Sequence, residues 1–193
     1  MASPDRTFAR ALAPIAAPLP ATVAAAIGNA IARHSYLDWV LGQVLYSLME
    51  ISAKTGRVVV RPPPPAEYVR AVRDLYAFLK LETRFDFDGL ARRLERADAA
   101  RHVLARCVYM RDLEGSERDI RLGLGPWASS HEAAKSIAIE GAKVDRAFLA
   151  KRRGEIEDAI TRAEKLQSTT DRLLRALHER RRVDRRWNRR AAR

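Results

Sequence analysis

Apolar residues recur at intervals of three and four along most of this chain, the spacing of one helix face turned to a core. The first predicted helix begins near Pro20 or Thr22 and runs to about Ser52. Its stripe is Val23, Ile27, Ala30, His34, Leu37, Leu41, Val44, Leu48 and Ile51, widened by Ile31 and Leu45. Thr55-Gly56 is read as its stop. Val58 to Val60 are too few to build a sheet alone, and Pro62 to Pro65 form a stiff connector. Pro65 suits the first turn of a second helix, 65–80, which carries Tyr68, Val69, Val72, Leu75, Tyr76 and Leu79. Asp86 or Asp88 caps a third, 88–108, with Leu90, Leu94, Ala97, Arg101, Leu104 and Val108 in one row. The last helix, 145–182, starts at the cap Asp145. Along it lie Phe148, Leu149, Arg152, Ile156, Ile160, Ala163, Leu166, Thr170, Leu173, Leu174 and Leu177. At ~1.5 Å per residue it spans on the order of 50 Å. That is more than a four-helix bundle needs, so its end is expected to project or to pack on a second subunit.

Two short apolar runs, Val108-Tyr109-Met110 and Ile120-Arg121-Leu122, flank a polar turn and predict a small hairpin that ends at Gly123 to Pro126. Residues 128–143 read either as an Ala/Lys-rich helix or as a loop with a short Ile137–Ile139 strand. The expected fold is all-α: a single bundle of about four main helices with a hairpin insertion and a long C-terminal helix. Three parts are expected: a flexible Ala/Pro-rich arm (1–19), the bundle (20–178) and a basic tail (179–193).

Two stripes are interrupted by polar residues. Arg101 is the one charged member of the third helix's row, and a guanidinium taken out of water must find a carboxylate, carbonyl or phosphate. His34 stands in the first helix's row with Asp38 one turn later. Each break needs a partner that the other can supply, so His34, Asp38 and Arg101 are expected to meet in a buried polar cluster. Such a cluster either sets helix register or does chemistry.

Charge is the next discriminator. The chain of 193 residues carries a net +12. From Glu179 to Arg193, eight arginines stand against Glu179 and Asp184, which places +6 in that short segment. Arg180, Arg181, Arg182, Arg185, Arg186, Arg189 and Arg190, with Trp187 for stacking on a base, are therefore candidate nucleic-acid contacts. A solvated, frayed helix end is the alternative. The tail offers almost no apolar face for a membrane.

Other chemistries find little footing. Cys107 is the single cysteine, so no internal disulfide or cysteine-zinc site can form, which fits a reducing cytoplasm. His34, His102, His131 and His178 lack metal-ligand spacing, and Gly123-Leu124-Gly125-Pro126 lacks the Gly-Lys-Ser/Thr of a phosphate loop. No serine or cysteine sits in a nucleophile elbow. Metal and cofactor are expected to be absent. Prolines 14, 18 and 20 interrupt the apolar stretch from Ala11 to Ile27, so neither a signal peptide nor a membrane helix is expected there. His102 and Arg106, four apart on another face of the third helix, either lie in solvent or line a groove shared across a dimer.

The segment Ala26 to Leu41 reads Ala-Ile-Gly-Asn-Ala-Ile-Ala-Arg-His-Ser-Tyr-Leu-Asp-Trp-Val-Leu. A Gly-Arg-Val-Val-Val-Arg-Pro connector follows, then a helix that contains Arg101 and runs into Cys-Val-Tyr. This order, over about residues 20 to 178, resembles bacterial proteins of the HEPN type. The resemblance implies a compact helical bundle, often dimeric, among metal-independent RNases or companions of toxin–antitoxin and defence systems. The family motif is an arginine followed by a polar residue and, a few positions on, a histidine. Arg101 matches the arginine and His102 the polar position, but Arg106 stands where the histidine belongs. Arginine cannot serve as a general base. The resemblance thus implies a catalytically degenerate protein that binds RNA, DNA or a protein partner, as a homodimer and through its long C-terminal helix in the last case. Two readings stay open beside it: a weak endoribonuclease using Arg101 and His102, and a structural adaptor without a nucleic-acid role.

Overall fold

A computed structural model describes residues 12–14, 19–59, 63–106, 108–112, 120–123 and 142–191. The fold is all-α with a small sheet and a long C-terminal helix. The helices are α1 (Ala21–Leu48), α2 (Ala53–Val59), α3 (Pro65–Phe78), α4 (Phe87–Arg106) and α5 (Arg146–Ala191). The strands are β1 (Leu12–Pro14), β2 (Val108–Asp112) and β3 (Ile120–Gly123). The chain divides into two compact units. One comprises Met1–Ile31 with Ala99–Gly154, the other Ala32–Asp98 with Glu155–Arg193.

The first unit is organised by the sheet, in the order β1-β2-β3 with both pairings antiparallel. The hairpin read from the two short apolar runs is present, with Val108 opposite Gly123 and Arg111 opposite Ile120. Leu12–Pro14, expected to belong to a flexible arm, instead adds an edge strand in which Pro14 is tolerated. On the far side of β3, Leu122 donates to the Ala142 carbonyl and Val144 to that of Ile120. Arg121 also pairs with Lys143 in an isolated antiparallel bridge; residues 124–141, with Ile137–Ile139 and so the choice between helix and short strand there, lie outside the described residues. Val103, Ile120, Leu122 and Val144 form the buried cluster, with Val23, Tyr109, Phe148 and Leu149 packed on it. The Tyr109 hydroxyl donates to the Leu104 carbonyl at 2.7 Å, satisfying an acceptor that the end of α4 leaves open.

The second unit is built around α5. Ile156, Ala159, Ile160, Ala163, Leu166, Thr170 and Leu174 are buried at the predicted spacing. On one flank, Arg33 of α1 grips Glu157 bidentately, at 2.8 and 2.7 Å, and the Tyr36 hydroxyl donates to Glu164. On the other, Arg93 and Arg96 of α4 meet Asp158, and Arg162 meets Asp86. The Tyr76 hydroxyl of α3 reaches Thr170 Oγ1 at 2.7 Å, fully buried. Since Thr170 spends its own hydrogen on the Leu166 carbonyl, Tyr76 is the donor.

The helix ends follow local chemistry. Asp86, rather than Asp88, caps α4 through the Gly89 N–H at 2.8 Å, and Asp145 caps α5 through Phe148. The Gly89 hydrogen bond, aided by nearby arginines and opposed by partial desolvation, holds the Asp86 carboxyl below its ordinary pKa. Pro65 opens α3 as read. Thr55-Gly56, in contrast, does not stop α1. That helix closes earlier, where Glu50 adopts φ 54° and the Ile51 N–H reaches back to the Tyr46 carbonyl. Ser52 then caps the Thr55 N–H and starts α2, which encloses Gly56. Gly56 is needed for space, since a Cβ there would overlap the Tyr46 ring. At the other end of the chain, α5 continues through most of the segment expected to be a tail.

Three variants test this packing in urea unfolding. Thr170→Val should cost about 1–3 kcal/mol by stranding the buried Tyr76 hydroxyl. Thr169→Val, at a half-buried position, should cost less than about 0.5 kcal/mol. Gly56→Ala should cost about 1–3 kcal/mol by overpacking Tyr46. A Thr170→Val midpoint equal to wild type would show that the hydroxyl pair contributes nothing.

Candidate functional site

His34 is buried, 6% exposed, and lies between two carboxylates: Nδ1 is 3.4 Å from Asp38 and Nε2 is 3.9 Å from Asp98 of α4. These separations are too long for good hydrogen bonds, so the attraction is electrostatic and requires the protonated ring. Asp98 is the partner that sequence reasoning missed. It has no unusual neighbours in the chain, and only the packing of α4 beside α1 brings it there.

The three-residue buried cluster is corrected in two respects: Asp38 is exposed and Arg101 is half-buried, leaving His34 as its buried member. The reason for Arg101 lies in helix geometry. At about 100° per residue, Leu90, Leu94 and Ala97 share one direction, whereas Ala100, Val103 and Leu104 centre about a quarter turn away. Arg101 continues the first direction and so falls at the rim of the second. Its long stem lets the head reach polar surroundings from there.

His102 is half-buried and Arg106 exposed, the latter in the last turn of α4. Cationic residues at a helix C-terminus, as Arg106 is, complement the helix dipole. Val108 leaves the predicted helical row altogether and belongs to β2. Cys107 and His131 lie outside the described residues.

The basic segment is mostly a continuous helical extension of α5. Leu174 is buried and Leu177 half-buried; from His178 to Val183 every residue is exposed, Arg180, Arg181 and Arg182 among them. The backbone remains helical to Ala191, carrying Arg185, Arg186, Trp187, Arg189 and Arg190. At ~100° per residue, positions 175, 178, 182, 185, 186 and 189 fall on one side, a row of arginines with His178 among them. From 175 to 189 that row measures about 21 Å.

At its root, a cleft of about 540 Å³ is lined by Ser47, Glu50, Asp171, Leu174, Arg175 and His178. There Glu50 Oε1 lies 3.1 Å from His178 Nε2 and 3.6 Å from Arg181 Nη1. The hydrogen bond to His178 holds the Glu50 carboxyl below its ordinary pKa; partial desolvation opposes it, and the charges of His178 and Arg181 add to it. Glu50 and His178 were not legible as partners, standing 128 residues apart. The cationic spacing Arg175–His178–Arg182 was present in the sequence, but it shows only once the helix is known to run straight through it.

Among the described residues, no group of three or more His, Cys, Asp or Glu side chains could hold a metal ion, and no helix is long and apolar enough to cross a membrane. No family model, curated protein or solved structure matches this chain.

The His34–Asp98 contact can be tested alone by a double-mutant cycle of His34→Leu and Asp98→Ala at pH 6. A coupling of about 0.5 kcal/mol or more is expected for residues in contact. Additive effects within about 0.3 kcal/mol would show the two side chains to be independent.

Proposed function

We propose that this protein binds nucleic acid along the basic row of α5 and does not cleave it. The observation that carries the reading is the continuation of α5 as helix to Ala191, which strings the arginines from Arg180 to Arg190 along a rod instead of scattering them on a coil. A guanidinium binds phosphate oxygens bidentately, and a rod with cations every three or four residues offers such forks at regular spacing. In the body of the second unit, by contrast, Arg33, Arg73, Arg93, Arg96 and Arg162 are engaged by Glu157, Asp88, Asp158 and Asp86. Within the second unit the excess positive charge is therefore concentrated toward the end of α5.

The likeness to HEPN-type proteins supports the same reading. Under it the chain is a cytoplasmic, dimeric companion in a toxin–antitoxin or defence setting, whose Arg101 and His102 remain from an ancestral nuclease site. Arg106 can stabilise a phosphate's charge but cannot exchange protons near neutral pH, so cleavage is absent. An adaptor that docks a protein on α5 is the competing reading.

Binding of labelled RNA and duplex DNA across a salt series tests the proposal. Removal of Glu179 to Arg193 takes away +6 of the +12 net charge. For duplex DNA, the slope of log affinity against log salt should be about −0.9 per phosphate neutralised, and the deletion should flatten it. An unchanged slope would move binding to the bundle, and no wild-type binding would reject the reading. Wild-type protein should leave RNA intact, while Arg106→His should introduce cleavage that Arg101→Ala removes. Wild-type cleavage that survives Arg101→Ala with His102→Ala would refute the assignment of those residues.

A further inference from the structure

The cleft at the root of the basic row joins the end of α1 to α5 through one carboxylate. Glu50 faces His178 and Arg181, and Arg175 and the Ser47 hydroxyl line the same cleft. Arg175 Nε also donates to the Asp171 carbonyl at 3.2 Å, within its own helix. The left-handed backbone of Glu50 is not in itself a sign of function. Lys80 closes α3 in the same conformation, φ 55°, with its N–H on the Ala77 carbonyl. What sets Glu50 apart is where its carboxylate lies: against an imidazole and a guanidinium that stand on, or next to, the row of cations.

Carboxylate and phosphodiester are both oxyanions carrying one negative charge, and the donors that hold one will hold the other. The Glu50, His178 and Arg181 side chains are each about half exposed, 49%, 51% and 49%. A pair so exposed contributes little net stability, so exchanging its anion is not opposed by a large loss.

We infer that this cleft is a phosphate subsite, at which a backbone phosphate of the bound nucleic acid replaces the Glu50 carboxylate on His178 and Arg181, with Arg175 and Ser47 beside it. The inference rests on the nucleic-acid reading above and extends it to the root of α5. Glu50 is then an internal competitor that weakens binding of anions at this point. Only a protonated His178 attracts phosphate, which makes binding at this point pH-dependent. The charged groups lining the cleft or meeting Glu50 there are Glu50 in the turn after α1 and Asp171, Arg175 and Arg181 on α5. Glu50 stays ionised at both pH 6 and pH 8 because its carboxyl is held below the usual carboxylate range.

The test is fluorescence anisotropy of labelled single-stranded RNA with the full chain, wild type, Glu50→Gln and His178→Ala, at pH 6 and pH 8. Thermal melts confirm that each variant is folded, and Arg175→Ala serves as a second probe of the cleft if one is not. Glu50→Gln should tighten binding about two- to fivefold, the size expected when one exposed opposing charge is removed. Wild-type affinity should be higher at pH 6 than at pH 8, with His178→Ala reducing that difference, and Arg175→Ala should weaken binding at both. Unchanged or weaker binding by Glu50→Gln, with pH dependence retained in His178→Ala, would overturn the subsite. If binding is still lost on deleting Glu179 to Arg193, the broader reading stands without it. Absence of any wild-type binding overturns both. Displacement of RNA by a poly-glutamate peptide at equal charge concentration would assign the cleft to acidic protein instead.

Discussion

The hydroxyl pair of Tyr76 and Thr170 sets the register on which the second unit depends. A buried hydroxyl must be paired, and here the geometry permits one solution: Thr170 donates to its own helix and accepts from Tyr76. Tyr76 also packs edge-on against Phe87 of α4, with ring centroids 5.5 Å apart. One side chain of α3 thus ties α5 to α4. Sliding α5 by a turn would strand two polar groups and misplace every flanking ion pair at once. Apolar stripes alone do not distinguish such registers, because methyl groups pack almost equally well one turn along.

That register has an electrostatic consequence. With α5 held in place, its acidic residues Glu157, Asp158 and Glu164 meet groups on the flanking helices, Arg33, Arg93, Arg96 and Tyr36. Each exposed pair is worth little in stability. Together they engage much of the basic surface beside the core. From His178 to Val183 every residue of the helix is exposed, and its composition turns to arginine. The same helix therefore serves as a core element over one stretch and a charged rod over the next, with the Glu50–His178 contact at the change.

Arg101 shows how a periodic pattern can mislead. Its spacing from Leu94, Ala97 and Leu104 is that of a core residue, yet the buried side of α4 turns by about a quarter between Ala97 and Val103. A helix that changes the side it buries leaves residues at the old position on a rim. His34 had the same kind of spacing and is buried, because the α1 row keeps its side from Ile27 to Leu48. The sequence motif is alike in both helices. What separates them is how neighbouring elements are arranged around each.

The sequence by itself determined where the main helices lie, the hairpin, Pro65 as a helix start, Asp145 as a cap, and the all-α class. Those features follow from local periodicity, fixed backbone geometry and side-chain hydrogen bonds spanning a few residues. It did not determine the end of α1 and the birth of α2, because Glu50 is an unusual residue for a left-handed turn and the need for Gly56 arises from the Tyr46 ring. Nor did it reveal that Leu12–Pro14 joins a sheet, since the pairing partner is about a hundred residues away. The candidate sites divide in the same way. The arginines were visible as composition, while Asp98 beside His34 and Glu50 beside His178 depend on contacts between distant segments, and such contacts leave no trace in local order. Tertiary packing decided them, because the position of a charge relative to its partner is a property of how helices are set side by side.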